Sequence, residues 1–279
     1  MKRSILLLWV ALLFSQGLMA QENERQNLKT GFWKFKLGPG IERLQDLKSS
    51  PLKLSGTAVP FGIYRGRVSD NSISSGGIEI HSSKLQSSND QVIQLSSSVI
   101  NLHFDYMKKL PAATELFDTW YLGGRVDLRR QNLENELLGN NMVKSLLSSS
   151  LSIISRVERS VQILGKSSRL SYTLSVAPLS FVKEDNSFAF SAPQGALEEG
   201  DYNTQDFEHG LFEYGELTSL NKFTRIRSRL AIHFPAKRRS SWILAYEWKL
   251  QKYTPIEGFG QAMASHDLSM SFYLPKKKK

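Results

Sequence analysis

Apolar and polar side chains alternate with a period of two through most of this sequence, and that period excludes a helical architecture. Ile100, Leu102, Phe104 and Tyr106 share one face of a strand, with Asn101, His103 and Asp105 on the other. Trp120, Leu122, Val126 and Leu128 oppose Tyr121, Arg125, Asp127 and Arg129. Leu170, Tyr172, Leu174 and Val176 oppose Ser171, Thr173 and Ser175. Ile226, Leu230, Ile232 and Phe234 oppose Arg225, Arg227, Arg229 and His233. Trp242 to Leu250 and Leu268 to Leu274 repeat the pattern. Further strands are expected near 31–37, 53–67, 76–83, 150–164 and 211–219. Arg159 interrupts the apolar face of the run 150–164 and predicts a strand end or bulge there. Gly165-Lys166-Ser167-Ser168 reads as a hairpin turn. Two patches, 111–118 and 133–147, read as helical decoration, and Ser187–Ala192 as a doubtful strand. Twelve strands would leave roughly 21 residues for each strand and its connection, which suits an up-and-down meander.

The first twenty residues set the compartment. Lys2 and Arg3 precede an apolar stretch from Ile5 to Phe14, and Ala20 ends a short polar segment. That is the layout of a secretory signal peptide. The stretch is too short for a helical span, which needs about 20 residues. Export changes the meaning of the +10 net charge. A basic exported chain is expected to meet anionic lipid, lipopolysaccharide phosphate or cell-wall polymer, not nucleic acid. No cysteine is present, so disulfides, thiolate nucleophiles and thiolate-bound zinc are excluded. The aromatic content, 10%, is enough to build an ordered fold.

Alternation fits two architectures. In a soluble exported sandwich that binds lipid or glycan, the apolar faces meet as a core. In a transmembrane barrel they face lipid, and the polar faces line the lumen. Several runs here reach nine residues or more, a length needed to cross a membrane. The polar faces mix Arg and Asp, and Trp120, Trp242, Trp248, Tyr253 and Phe272 gather near strand ends. With the signal ending at Ala20, the absence of cysteine and a final amphipathic strand HDLSMSFYL, the chain resembles bacterial outer-membrane β-barrel proteins as a class. The resemblance implies an all-β fold, an antiparallel up-and-down transmembrane barrel of about ten to twelve strands in the outer membrane. It also implies insertion by the barrel assembly machinery through Phe272 and Tyr273. Pro275 and Lys276–Lys279 follow, where the class ends its chains on the aromatic. The organisation expected is a signal over 1–20, one barrel over 21–275 with a long acidic loop near 183–210, and a basic tail over 276–279. Periplasmic or secreted placement is the alternative, should the fold be the sandwich.

Chemistry concentrates on the polar faces. Arg225, Arg227 and Arg229 recur every second residue, so one strand presents three guanidinium groups side by side, and His233 continues that face. In a barrel they face the lumen with Arg125 and Arg129. Asp105, Asp127, Glu158 and Glu247 are the candidate carboxylate partners. Such a row makes either an anion-preferring constriction or an ion-pair network that fills a small barrel. From Glu184 to Asn221 there are nine acids and no Lys or Arg. The spacing matches no calcium loop, and neither metal nor cofactor is expected. A lipid hydrolase with His103 or His233 as base is the third reading. Neither G-x-S-x-G nor HExxH occurs, and Asn101, His103 and Asp105 sit too far apart along one strand for a direct triad. The expected role is therefore non-enzymatic: a narrow pore, or a structural or accessory membrane component.

Overall fold

The computed structural model describes residues 30–46, 50–87, 94–111, 116–135, 142–163, 165–186, 215–235, 240–256 and 259–275. The expected signal segment, most of the expected acidic loop and the lysine tail lie outside them. Among the described residues there are twelve strands and no helix. They are β1 (Thr30–Leu37), β2 (Gly40–Asp46), β3 (Ser50–Val68), β4 (Ser72–Ser87), β5 (Gln94–Leu110) and β6 (Thr119–Asn135). Then follow β7 (Met142–Ile163), β8 (Lys166–Asn186), β9 (Glu216–Ser219), β10 (Phe223–Pro235), β11 (Ser241–Ile256) and β12 (Phe259–Pro275).

The strands pair antiparallel, from β2 to β8 and from β10 to β12 each with its sequence neighbour, and the sheet closes on itself, which sets the sandwich aside. Closure comes through β1 and β2, which both lie between β12 and β3. Leu37 faces Met270 and Gly40 faces Asp267, so three steps along one side match three along the other. The two segments are thus one strand, interrupted at Gly38-Pro39. Pro39 has no N–H to give the ladder, although its carbonyl still accepts from Leu268 N at 2.9 Å. At the other irregular place, β9 pairs with β8 on the side that β10 takes further along, the turn Leu220–Lys222 separating the two. The ring therefore has ten positions: β1/β2, β3 to β8, β10, β11 and β12.

The even number puts the start of β1 and the end of β12 at one rim, where Phe32 pairs with Pro275. β3, β5, β7 and β10 also end at this terminal rim, and β4, β6, β8 and β11 begin there. At the opposite, loop rim β2, β4, β6, β8 and β11 end and β3, β5, β7 and β12 begin. Gly165 adopts φ 72° in the tight β7–β8 turn, where Ile163 already pairs with Lys166. That conformation suits glycine, and the hairpin is shorter than the four-residue turn expected from sequence.

Burial runs opposite to that of a soluble protein. Phe104 and Met270 are 55% exposed and Ile153 58%, whereas Glu42 and Glu247 are 0% exposed. The apolar faces of the alternating runs point outward and the charged faces inward. Trp33, Trp120, Trp242 and Phe272 sit on the outer face near the terminal rim, with Trp242 and Phe272 rings 4.6 Å apart. Such an aromatic rim marks a bilayer interface.

Polarity reverses toward the loop rim. There the outward side chains are Arg43, Lys53, Lys84, Gln86, Glu134 and Lys252, all exposed. The inward ones are Leu44, Leu54, Leu85, Val99, Leu133 and Met263 in one cluster, and Leu146, Val182, Phe223 and Tyr253 in another. Every position of the ring contributes one of these ten. The dimensions explain the change. β5 has 17 residues, or ~56 Å of strand at about 3.3 Å each. Tilted by about 40°, it stands ~43 Å tall, well beyond an apolar band of about 25 Å. The surplus emerges at the loop rim and packs as a soluble barrel does, apolar inside and polar outside.

Two sequence expectations are corrected by this geometry. The 133–147 patch is not helical: its described parts are the end of β6 and the start of β7. Arg159 lies in regular register with Leu170, exposed near the terminal rim. The register shift falls instead between Leu151 and Ile153, opposite Pro178 on β8, whose missing N–H cannot join the ladder.

Candidate functional site

The inward face of the middle third of the barrel holds the densest chemistry. At its centre Glu79 of β4, Glu247 of β11 and Asp267 of β12 meet Lys36 of β1, Arg227 of β10 and Lys249 of β11. Lys36 Nζ donates to Glu247 at 2.8 Å and to Glu79 at 3.2 Å. Arg227 donates through Nε to Glu247 and through Nη2 to Glu79, the second at 3.2 Å. Lys249 donates to Glu79, and to Asp267 at 2.9 Å. Tyr64 adds a hydroxyl donor to Glu79 at 3.0 Å. Three cations and three carboxylates thus form one neutral cluster.

Where these groups come from decides what the cluster does. β4 and β10 lie five places apart in a ring of ten, so they are opposite walls. The Arg227–Glu79 bridge therefore spans the lumen. Nearer the loop rim, Lys144 of β7 bridges to Asp46 of β2 at 2.6 Å, again across five places, and to Glu184 at 2.8 Å. A third crossing joins Gln131 Nε2 of β6 to Met263 Sδ of β12 at 3.1 Å. Side chains from opposite walls touch at successive levels, as expected when a ring of about ten strands leaves an interior only wide enough for side chains.

The sequence-predicted residues divide. Arg227 and Glu247 join the central cluster. Arg125 holds Asp105 in a two-point pair at 2.5 and 2.8 Å. Asp127 accepts from Asn101 at 3.3 Å and bonds to no arginine among the described residues. Glu158 pairs with Arg156 at 2.6 Å and Arg169 at 3.3 Å, away from the arginine row. Arg225 donates to Gln251 at 2.7 Å, Ser148 at 2.8 Å and Ser150 at 3.3 Å, all neutral. Among the described residues Arg129 donates only to Met263 Sδ, at 3.4 Å. Arg229 faces inward and makes no ion pair among the described residues.

His233 Nε2 lies 3.1 Å from Ser171 Oγ, the spacing of a nucleophile and its base. Among the described residues no carboxylate bonds to His233 to orient it. The His103 ring lies 5.3 Å from that of Tyr64, tilted by 53°, and its Nδ1 has no hydrogen-bond partner among the described residues. His81 and Ser83 both bond to Glu42 at 2.9 Å, so that serine donates to the acid and not to the histidine. Glu79, Glu247 and Asp267 bring carboxylate oxygens within 4.8 Å of one another. Lys36, Arg227 and Lys249 already occupy those oxygens, which makes the trio an ion-pair hub and a poor cation site.

Lys36, Glu79, Lys249, Asp267 and the Asp46–Lys144 bridge were not anticipated from sequence. Their signal was present as charge at inward positions of strands, but most of their partners lie on strands remote in the sequence, brought close only when the ring closes.

No family model matches the sequence, and no curated protein matches it. Solved structures with similar overall outline are outer-membrane barrels. The translocator domain of autotransporter NalP from Neisseria meningitidis matches at 7% identity and a TM-score of 0.45, over 95% of each chain. The outer-membrane protease OmpT from Escherichia coli matches at 6% identity and a TM-score of 0.45, over 91% of this chain and 99% of that one. The COG4313 outer membrane channel from Pseudomonas putida F1 matches at 10% identity and a TM-score of 0.33, over 91% of this chain and 97% of that one. The inside-out side-chain distribution is this chain's own feature: a closed β-barrel, apolar outside and charged within, is a membrane barrel.

Proposed function

We propose that this chain is an outer-membrane barrel with a filled lumen, serving as a non-conducting structural or accessory component of that membrane. The observation that carries this reading is the direct contact between opposite walls, Arg227 on Glu79 and Lys144 on Asp46. A pore needs a continuous water column, and these bridges stand where it would run. The apolar belt supports membrane placement, with the polar loop rim standing proud of the bilayer and the terminal rim facing the periplasm. Phe272, half-buried beside Trp242, is the group of the last strand open to assembly machinery, since Tyr273 stacks inward on Phe32 at 4.7 Å.

The test is planar-bilayer recording on protein extracted in mild detergent, alongside SDS gels with and without boiling. A boiling-dependent mobility shift with no steady conductance supports the reading. Steady conductance in the wild type overturns it. One feature favours a second reading, an anion-preferring pore: Arg129, Arg225 and Arg229 point inward without carboxylate partners among the described residues. Under that reading, charge reversal at Arg225 and Arg229 shifts the reversal potential toward cations.

A further inference from the structure

The interior of the barrel carries more positive than negative charge. Lys34, Arg129, Arg225 and Arg229 face inward and form no ion pair among the described residues; of the inward acids there, Asp127 forms none and Glu42 meets no Lys or Arg, only His81. Lys34 lies over the Tyr64 ring, 3.7 Å from its centre. Burying an uncompensated charge is costly in any low-dielectric interior, so a closed lumen with this imbalance calls for a mobile counter-charge.

The imbalance converges on one space. A cavity of about 50 Å³ lies between the central ion-pair cluster and the apolar layer at the loop rim. Arg129 and Arg225 reach it from β6 and β10, and Asn101, Asp127 and Gln251 share its polar wall with Arg125 and with Glu79, Arg227 and Lys249 of the central cluster. Arg129 is 8% exposed, and the Nε of both arginines is buried and without a hydrogen-bond partner. Buried N–H groups rarely stay unpaired. Val99 and Met263 line the same space from the apolar layer. A water molecule needs about 10–15 Å³ on this measure, so the space admits a small ion with a water or two and nothing larger than a compact inorganic anion.

We propose that this cavity is a binding site for a small inorganic anion of chloride size, held by the Nε groups of Arg129 and Arg225. The anion offsets two cations that no carboxylate meets, and it accepts the two orphaned donors. The site works as a structural counter-ion position, much as a buried carboxylate would. It does not depend on whether the lumen conducts.

The experiment uses the whole mature protein in detergent micelles. The temperature of the gel-mobility shift is measured in sodium chloride, sodium bromide and sodium gluconate at equal ionic strength. A crystal grown in bromide is then examined for anomalous scattering. The expected result is a midpoint that rises and saturates with chloride or bromide but not gluconate, and a bromide peak between Arg129 and Arg225. In Arg129→Gln and Arg225→Gln the midpoint no longer distinguishes chloride from gluconate. Equal midpoints in all three salts and no peak in the wild-type cavity would overturn the proposal, whether or not those variants fold. Conductance, measured separately, decides the filled-lumen reading without touching this one.

Discussion

Replacing Glu79 by Gln tests whether the lumen is dry. The substitution keeps the shape of the side chain and an oxygen for the Tyr64 hydroxyl, and removes one charge. Lys36, Arg227 and Lys249 would then face Glu247 and Asp267 alone, three cations against two acids. Lys36 is almost fully buried, so bulk water does little to screen its charge. Breaking a buried pair in this way costs about 3–5 kcal/mol, whereas a solvated pair contributes only about 0–1 kcal/mol. The assay is urea unfolding from lipid vesicles, followed by tryptophan fluorescence, with wild type and variant compared at constant slope. Adding Lys36→Met returns the cluster to two cations and two acids. The double variant should recover about 1–3 kcal/mol relative to Glu79→Gln, the coupling expected of groups in one network. A loss below about 1 kcal/mol for Glu79→Gln, with no recovery in the double variant, would mean that water screens the cluster. The filled lumen would then be wrong.

Three further outcomes follow from the polarity of the walls. Phe104→Arg places a charge in the apolar belt and should cost about 2–4 kcal/mol in vesicle unfolding if it sits near the midplane; no loss would mean that face meets water. Leu85→Ala removes a fully buried side chain from the apolar layer at the loop rim and should cost about 2–5 kcal/mol, while Lys84→Gln beside it changes stability little in the same assay. Gly123→Ala would put a Cβ 1.9 Å from the Tyr106 carbonyl oxygen, so β5 and β6 must part there, and the boiling-dependent gel shift should occur at a lower temperature.

The strands themselves were legible because period-two alternation survives wherever one phase holds. The alternating faces of β5, β8, β10 and β12 read directly from sequence. What misled was a change of phase. On β6 the apolar residue is Leu128 pointing out to lipid, then Leu133 pointing in at the loop rim. On β7 the order is Leu146 in, then Leu151 out. An odd step of five breaks the alternation, and the segment between takes on a helical look. The same step separates Leu54 from Val59 on β3 and Ile80 from Leu85 on β4. Alternation alone also cannot say which face is outside; ring closure decides that. The interior pairing was least legible. The row Arg225, Arg227 and Arg229 was visible, but Glu79 lies 148 residues from Arg227, and only the number of strands in the ring sets them face to face.

The strand broken at Gly38-Pro39 has a consequence for the order in which the molecule is made. Its two halves provide the seam where the beginning of the chain meets the end, and Phe32 has no partner on that side until Pro275 has been delivered. Closing so large a loop is slow, because its entropy is lost before any contact is gained. A continuous first strand would offer β12 one long run of bonds. This one offers two short runs, Phe32–Leu37 and Gly40–Asp46, which are able to seat one after the other. The seam is then the last place to form and the first to part, and hydrogen exchange along β1 and β2 should outpace that of β6 and β7.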